Sequence, residues 1–318
     1  MKLIADFVSK KLALLILIVA IATYFSPFTW NAPLWVPSIF LGIVMFFTGL
    51  SMNISSIKNL HHKKKELLII VLLKWSVTVL IAIMLAKFFF SDYPDVAAGI
   101  ILQGSVPSAA AASLYTLLSG GNTALVVAAS LLDIVISPFI APLALAGLGD
   151  SVVSISLINL FKSFMIMVII PLSFGLTLQR KFPQLPHQAT QISKLSSPLS
   201  LIIVIHLLMN NGKQFISAEL MILPTLIFVL ILQTILSMLI NYTVASFLFE
   251  QKSDAIAALY QTSICNAGLA GILAHEFFGG LGAIAPILAF IIGLSIGAQI
   301  TNYFVNKQLP LSLQKAEL

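Results

Sequence analysis

Gly104-Ser-Val-Pro-Ser-Ala-Ala-Ala-Ala-Ser-Leu-Tyr-Thr116 decides how this chain folds. The flanking sequence is apolar enough to enter a bilayer, yet Pro107 removes a backbone donor in the middle of it. Gly104, Ser105 and Ser108 surround that proline with residues that favour irregular backbone. An unpaired peptide group in hydrocarbon costs several kcal/mol, so broken helix at membrane depth persists only inside protein or beside a wet cavity. A second such stretch, Gln261-Thr-Ser-Ile-Cys-Asn-Ala-Gly-Leu269, lies late in the chain. Two interrupted segments in corresponding positions of two halves point to a transporter's binding site. A pair of kinked helices with no ligand is the plain alternative.

The composition agrees with a membrane protein. Of the 318 residues 59% are hydrophobic and 9% charged, where a soluble domain carries roughly 25% charged residues. The net charge of +6 needs no nucleic-acid partner, because lysines in cytoplasmic loops account for it. The single cysteine excludes an internal disulfide. The first apolar run is followed by no small-residue cleavage site, so it reads as a span and not as a cleaved signal.

At about 20 residues per span, the chain divides into ten hydrophobic segments near 11–27, 35–53, 66–89, 95–118, 122–147, 155–179, 192–210, 220–248, 254–278 and 282–305. Thirteen of the 17 basic residues fall on one side if the N-terminus is inside: Lys2, Lys10, Lys11, Lys58, Lys63, Lys64, Lys65, Arg180, Lys181, Lys194, Lys252, Lys307 and Lys315. The positive-inside rule then places both termini in the cytoplasm of a multi-pass protein of the cell membrane. By the same rule His61-His-Lys-Lys-Lys65 is a topology anchor rather than a nucleic-acid or lipid patch. Ten spans split into a first repeat over residues 1–150 and a second over 151–318. Both breaks fall in a fourth segment, and an odd number of spans inverts the second copy, so the two broken helices meet near the midplane. Helix N-termini there favour anions.

Lys74 sits about halfway along the third segment, too deep for its ammonium to reach the interface easily. Asp133 is the acid buried within a span, either the structural partner of a lysine or a coupling residue. Lys87 and Lys162 lie nearer segment ends, where lysines snorkel, and His206 reads as an interface residue. Gln261, Asn266, Gln299 and Asn302 add amides to the last two segments, and Asn266 stands at the break, where it can meet a ligand. Cys265 beside it is a weak soft-metal signal. His275-Glu276 lacks the second histidine of a zinc-protease motif, and the chain has no phosphate-binding loop, so neither that chemistry nor ATP-driven transport is expected. Nothing suggests an enzyme: a nucleophile–base pair and a metal-ligand cluster are both missing.

Several motifs carry a resemblance: Leu41-Gly-Ile-Val-Met-Phe-Phe-Thr-Gly-Leu-Ser51, Ala97-Ala-Gly-Ile-Ile-Leu-Gln-Gly104, Gly121-Asn-Thr-Ala-Leu125, Ser137-Pro138 and Asn266-Ala-Gly-Leu-Ala270. In this order and spacing the chain resembles the bile acid:sodium symporter family over nearly its whole length. The resemblance implies an all-α protein of ten transmembrane helices in two inverted five-helix repeats. A panel of helices 1, 2, 6 and 7 would face a core in which broken helices 4 and 9 cross. It also implies cotransport of organic anions, such as bile acids, steroid sulphates or pantoate-like acids, with sodium. Substrate would lie near Pro107, Ser108, Ala109, Ala110, Asn266, Ala267 and Gly268.

The departures bear on the ion. At the family's sodium positions this chain carries Ala112, Ser113, Val126 and Ser130. Gln261 stands where the family has its shared acid, and Cys265 and Lys74 stand where it has glutamines. An acid replaced by an amide, with an ammonium nearby, makes a poor sodium site. The expectation is therefore an organic-anion transporter without a cofactor or an obligatory protein partner. Lys74 would replace sodium, and the transport would be coupled to protons or uncoupled, with Asp133, Ser113, Ser130, Gln261 and Cys265 around the ion site. A receptor or sensor on the same scaffold, and a relative of arsenite-efflux proteins, are the alternatives. The arsenite comparison is weakened because no cysteine stands in the first break.

Overall fold

In hydrocarbon a chain closes its own backbone hydrogen bonds as helix, and the described residues of the ten apolar segments are helical over most of their length, the fourth and ninth with a break. The computed structural model describes residues 12–28, 32–33, 35–52, 62–147, 156–182 and 184–308. Two helices, α1 (Leu12–Phe25) and α2 (Trp35–Ser51), come first. Helix α3 comprises Lys64–Leu73, a π turn Lys74–Thr78 and Val79–Phe90. Then follow α4 (Pro94–Ser105), α5 (Ala110–Leu118) and α6 (Thr123–Ala146). Helix α7 comprises Leu157–Phe164, a π turn Met165–Ile169 and Ile170–Lys181. The chain continues with α8 (Leu185–Ala218), a 3-10 turn Leu220–Ile222, α9 (Leu223–Leu248), α10 (Lys252–Ser263) and α11 (Ala267–Gln308). Among the described residues, six helices are long and apolar enough to cross a membrane.

One boundary differs from the sequence reading. The seventh segment begins at Leu185 and not near 192, because Pro186 is accommodated in the first turn, where a helix needs no N–H donor. The ninth and tenth segments meet where expected, at Gly279 within α11, whose non-helical backbone (φ 69°, ψ −166°), which only glycine adopts readily, breaks the run. Of the residues behind the expected orientation, Lys2, Lys10, Lys11, Lys58, Lys315 and His61 lie outside the described residues.

Close backbone contact sets the packing. A methyl group at Gly49 of α2 would strike the Leu172 carbonyl of α7, and one at Gly175 would strike the Phe46 carbonyl. Likewise Gly99 of α4 lies against the Gly282 carbonyl of α11. Small residues allow such approach between membrane helices, where dispersion replaces the hydrophobic effect. Helix α2 packs on α7 and α8, and α8 on α1, while α4 packs on α11 and α3, and α9 on α10.

The two ends of the bundle are tied differently. At the lysine-rich end, Lys63 donates to Asp254 at 2.7 Å and to Glu66 at 3.3 Å, and the Asn122 amide donates to the other Asp254 oxygen at 2.8 Å. The bond to Asp254 holds the Lys63 ammonium above its usual pKa, so this clasp is complete below the free lysine's pKa and opens as pH rises through the folded value. At the opposite end Tyr24 meets Ser217 at 3.1 Å, Lys213 donates to the Ser26 carbonyl, and the His206 ring pairs with Thr23 at 2.8 Å. Lys87 and Lys162 are exposed, as snorkelling side chains are, and so are Gln299 and Asn302. Lys64 and Gln214, both exposed, mark the two ends. Cysteines at these positions, in a Cys265→Ser background, should react with an impermeant reagent from opposite sides of the membrane. Labelling of both from one side would refute the topology.

Candidate functional site

Both breaks are real, and each resolves the other's backbone. Val106 (φ −94°, ψ 163°) and Ala109 (φ −80°, ψ 156°) are extended, and Pro107 and Ser108 lie between α4 and α5. Ile264, Cys265 and Asn266 separate α10 from α11. The two stretches pair as a short antiparallel bridge, Ser108 opposite Cys265. The Ala109 N–H donates to the Ile264 carbonyl and the Asn266 N–H to the Pro107 carbonyl, each at 2.8 Å. Peptide groups freed by the breaks thus find partners away from lipid.

A cavity of about 490 Å³ opens beside this crossover. Pro107, Ser108, Ala109, Ala110, Ser113, Ser130, Cys265 and Asn266 line it on one side. Val44, Met45, Thr48 and Ser51 of α2 and Leu201 of α8 line the other. The cavity extends to Leu12, Met52 and Ser197, toward the lysine-rich end. Ala267 and Gly268, also expected at the substrate, are buried at the start of α11 and are not part of the lining. Asn266 caps α11, its Oδ1 accepting from the Leu269 N–H at 3.1 Å. Helix α5 has no side-chain cap, and its first residues, Ala110 and Ala111, line the cavity. The described lining residues carry no formal charge.

Behind the crossover lie two charged groups. Asp133 is fully buried and gathers three N–H donors: the Trp75 indole at 3.0 Å, the Gln261 amide at 2.9 Å and the Ser108 backbone at 3.4 Å. Ser130 donates to Gln261 at 3.2 Å and meets the Ser108 hydroxyl at 3.1 Å, so a polar chain runs from the cavity to Asp133. Lys74 is also fully buried, at the first residue of the α3 π turn. Its Nζ donates to Cys265 Sγ at 2.7 Å and lies 5.8 Å from the centre of the Trp75 ring. Among the described residues the ion pairs are those of Lys63, so Lys74 and Asp133 act on one another across a gap and not in contact.

The other expected ion positions divide. Ala112 and Val126 pack in an apolar cluster with Leu125 and Ile256 and offer no side-chain oxygen. Ser113 faces the cavity instead, and Ser130 and Gln261 belong to the Asp133 network. The sequence reading missed Trp75, whose indole holds Asp133, and Gln103, Thr48 and Ser51, which line the cavity. The place of Trp75 directly after Lys74 was the available signal for the first. Among the described residues no group of three metal-ligating side chains converges.

Comparison with known proteins follows this geometry. A Bacillus subtilis protein named "Uncharacterized sodium-dependent transporter YocS" is 26% identical over 307 residues, covering 96% of this chain and 94% of its own. An Arabidopsis thaliana protein named "Probable sodium/metabolite cotransporter BASS1, chloroplastic" is 28% identical over 160 residues, covering 50% of this chain and 39% of its own. Both names are those of transporters and not of enzymes. The model of the Sodium Bile acid symporter family matches residues 38–218, more than half of the sequence and including the first break, Lys74 and Asp133; the chain belongs to that family.

Proposed function

We propose that this protein is a secondary transporter of an organic anion. Its helices would form two inverted five-helix repeats, with a panel of α1, α2, α7 and α8 moving against the rest to give alternating access. The observation that carries the reading is the cavity of about 490 Å³ between α2, α8 and the crossover. It is large enough for a steroid-sized anion and leaves space around a small one such as pantoate. The anionic group would sit at the uncapped start of α5, where backbone dipoles favour negative charge without a cationic side chain. The apolar body would lie along Val44, Met45, Ile134 and Leu201. The lysine-rich end would face the cytoplasm, with the cavity open to it.

The ion is where this chain parts from its relatives. A sodium ion needs several hard oxygens and a negative charge. Here Asp133 is the buried acid, its oxygens are taken by three N–H donors, and the Lys74 charge lies opposite. One positive and one negative group leave the crossover neutral without a bound cation. We assign Lys74 the role of the missing sodium ion, so transport would be sodium-independent. Uptake of labelled taurocholate and of pantoate into proteoliposomes, with sodium replaced by choline at several pH values, tests this. Equal uptake in choline supports it, and a strict sodium requirement overturns it.

Pro107 has two jobs, ending α4 and giving its carbonyl to Asn266. Pro107→Ala should leave the amount of folded protein nearly unchanged but lower uptake about tenfold, because α4 can then extend and part the bridge. Unchanged kinetics would show that the break is ornamental.

A further inference from the structure

Between α3, α4, α9 and α10, away from the crossover, the interior holds amides and hydroxyls with no part in the transport scheme above. Gln233, Ser237 and Asn241 stand four residues apart on α9, therefore on one face, and are 6%, 1% and 0% exposed. The amide donors of Gln233 and Asn241 are engaged. The Asn241 amide donates to Thr78 at 3.0 Å and to Thr262 at 2.9 Å, and the Gln233 amide reaches the Ile100 carbonyl at 3.5 Å. Their acceptors are not. Gln233 Oε1, Ser237 Oγ and Asn241 Oδ1, with Gln103 Oε1 from α4, are buried without a hydrogen-bond partner among the described residues.

Each orphaned polar atom costs about 1–3 kcal/mol, and native proteins keep such atoms few. Four on one patch amount to a surface short of hydrogen-bond partners. The patch is continuous with the cavity: Gln103, Thr234 and Ser263 line it, and the Ser263 hydroxyl meets Thr262, a partner of Asn241, at 3.3 Å. Fully buried Val229 and Ala245 close the two ends of the face. From Gln233 to Asn241 the helix rises about 12 Å, too far for one ion but suited to a short file of waters.

We infer that this face is a hydrated branch of the cavity, a file of water molecules running from Gln103 and Thr234 along α9 to Thr78. Thr78 ends the π turn that Lys74 begins. The branch therefore brings water to the buried Thr78 end of that turn, and it gives the lysine a path for exchange with the cavity. Only this last purpose rests on the reading of Lys74 as the coupling group; the hydration stands on the orphaned oxygens.

Silver ion, close to sodium in size, binds thiols in contact with water by displacing their proton (R–SH + Ag⁺ → R–S–Ag + H⁺). Single variants Ser237→Cys and Leu226→Cys would be exposed to silver in the intact protein, then denatured, alkylated and read site by site by peptide mass spectrometry. Leu226 is fully buried on the same helix, about three turns before Ser237 on the same face, but beyond the polar stretch and within the apolar core. Cysteine at 237 is expected to react at least about tenfold faster than cysteine at 226, and Gln233→Leu should remove that advantage. Equal rates would overturn the branch, whatever Lys74 does. Fast reaction at 237 together with normal transport by Lys74→Gln would keep the branch and remove the lysine's coupling role.

Discussion

Asp133→Asn should be among the most damaging single changes in this protein, and Lys74→Gln should partly rescue it. The carboxylate is fully buried, and the Lys74 ammonium across the crossover is as well. Removing one charge leaves the other in a low-dielectric interior without its counterpart, and breaking such a buried pair costs about 3–5 kcal/mol. The two groups do not touch, so the lower end of that range is expected for each single variant. The double variant Lys74→Gln with Asp133→Asn restores neutrality, and it should recover about 1–3 kcal/mol relative to the sum of the singles. Thermal unfolding of the four proteins in one detergent measures the coupling. Simple additivity would mean that the charges are independent and that the crossover is not a neutral unit.

The second large effect concerns the ion. Lys74→Gln installs the residue type that the resemblance to the symporter family implies there, but it should lower uptake at least about tenfold, or about 1.4 kcal/mol at the rate-determining step, without creating sodium dependence. The reason is that position 261 still holds an amide, committed to Asp133 at 2.9 Å. Adding Gln261→Glu supplies a carboxylate within reach of Ser130 and should shift uptake toward a sodium requirement. Ala112 and Val126, packed against apolar neighbours, limit how complete that site becomes. Full activity of Lys74→Gln in choline would show that the lysine fills space only.

The placement of the helices could be read from the chain because apolar surroundings leave a backbone few choices, and Pro107 and the Asn266-Ala-Gly268 stretch marked the places where helix could not continue. The composition of the crossover was legible too. The partners were not. Lys74 and Cys265 are separated by 191 residues, and Trp75 and Asp133 by 58; which of them meet is settled by how α3, α6 and α10 pack. The same holds for the π turn at Lys74, which comes from packing and has no local signature. The α9 face is a different case. Its four-residue spacing of Gln233, Ser237 and Asn241 stands plainly in an apolar run, but an amide in a span commonly joins helices, and only the orphaned oxygens show that these do more.

The bridge between Ser108 and Cys265 has a consequence for how the chain can vary. Its two backbone bonds fasten four half-helices at their inner ends. A residue inserted into either loop would shift the register by one and part both bonds together, so the length of each loop is fixed by the other. The fastening itself uses only main-chain atoms, so it leaves the loop side chains to other tasks: Asn266 to cap α11, Cys265 to meet Lys74 and Ser108 to meet Ser130. The crossover is thus a joint of fixed length: the cavity wall can differ in its side chains while the four half-helices stay fastened as one body.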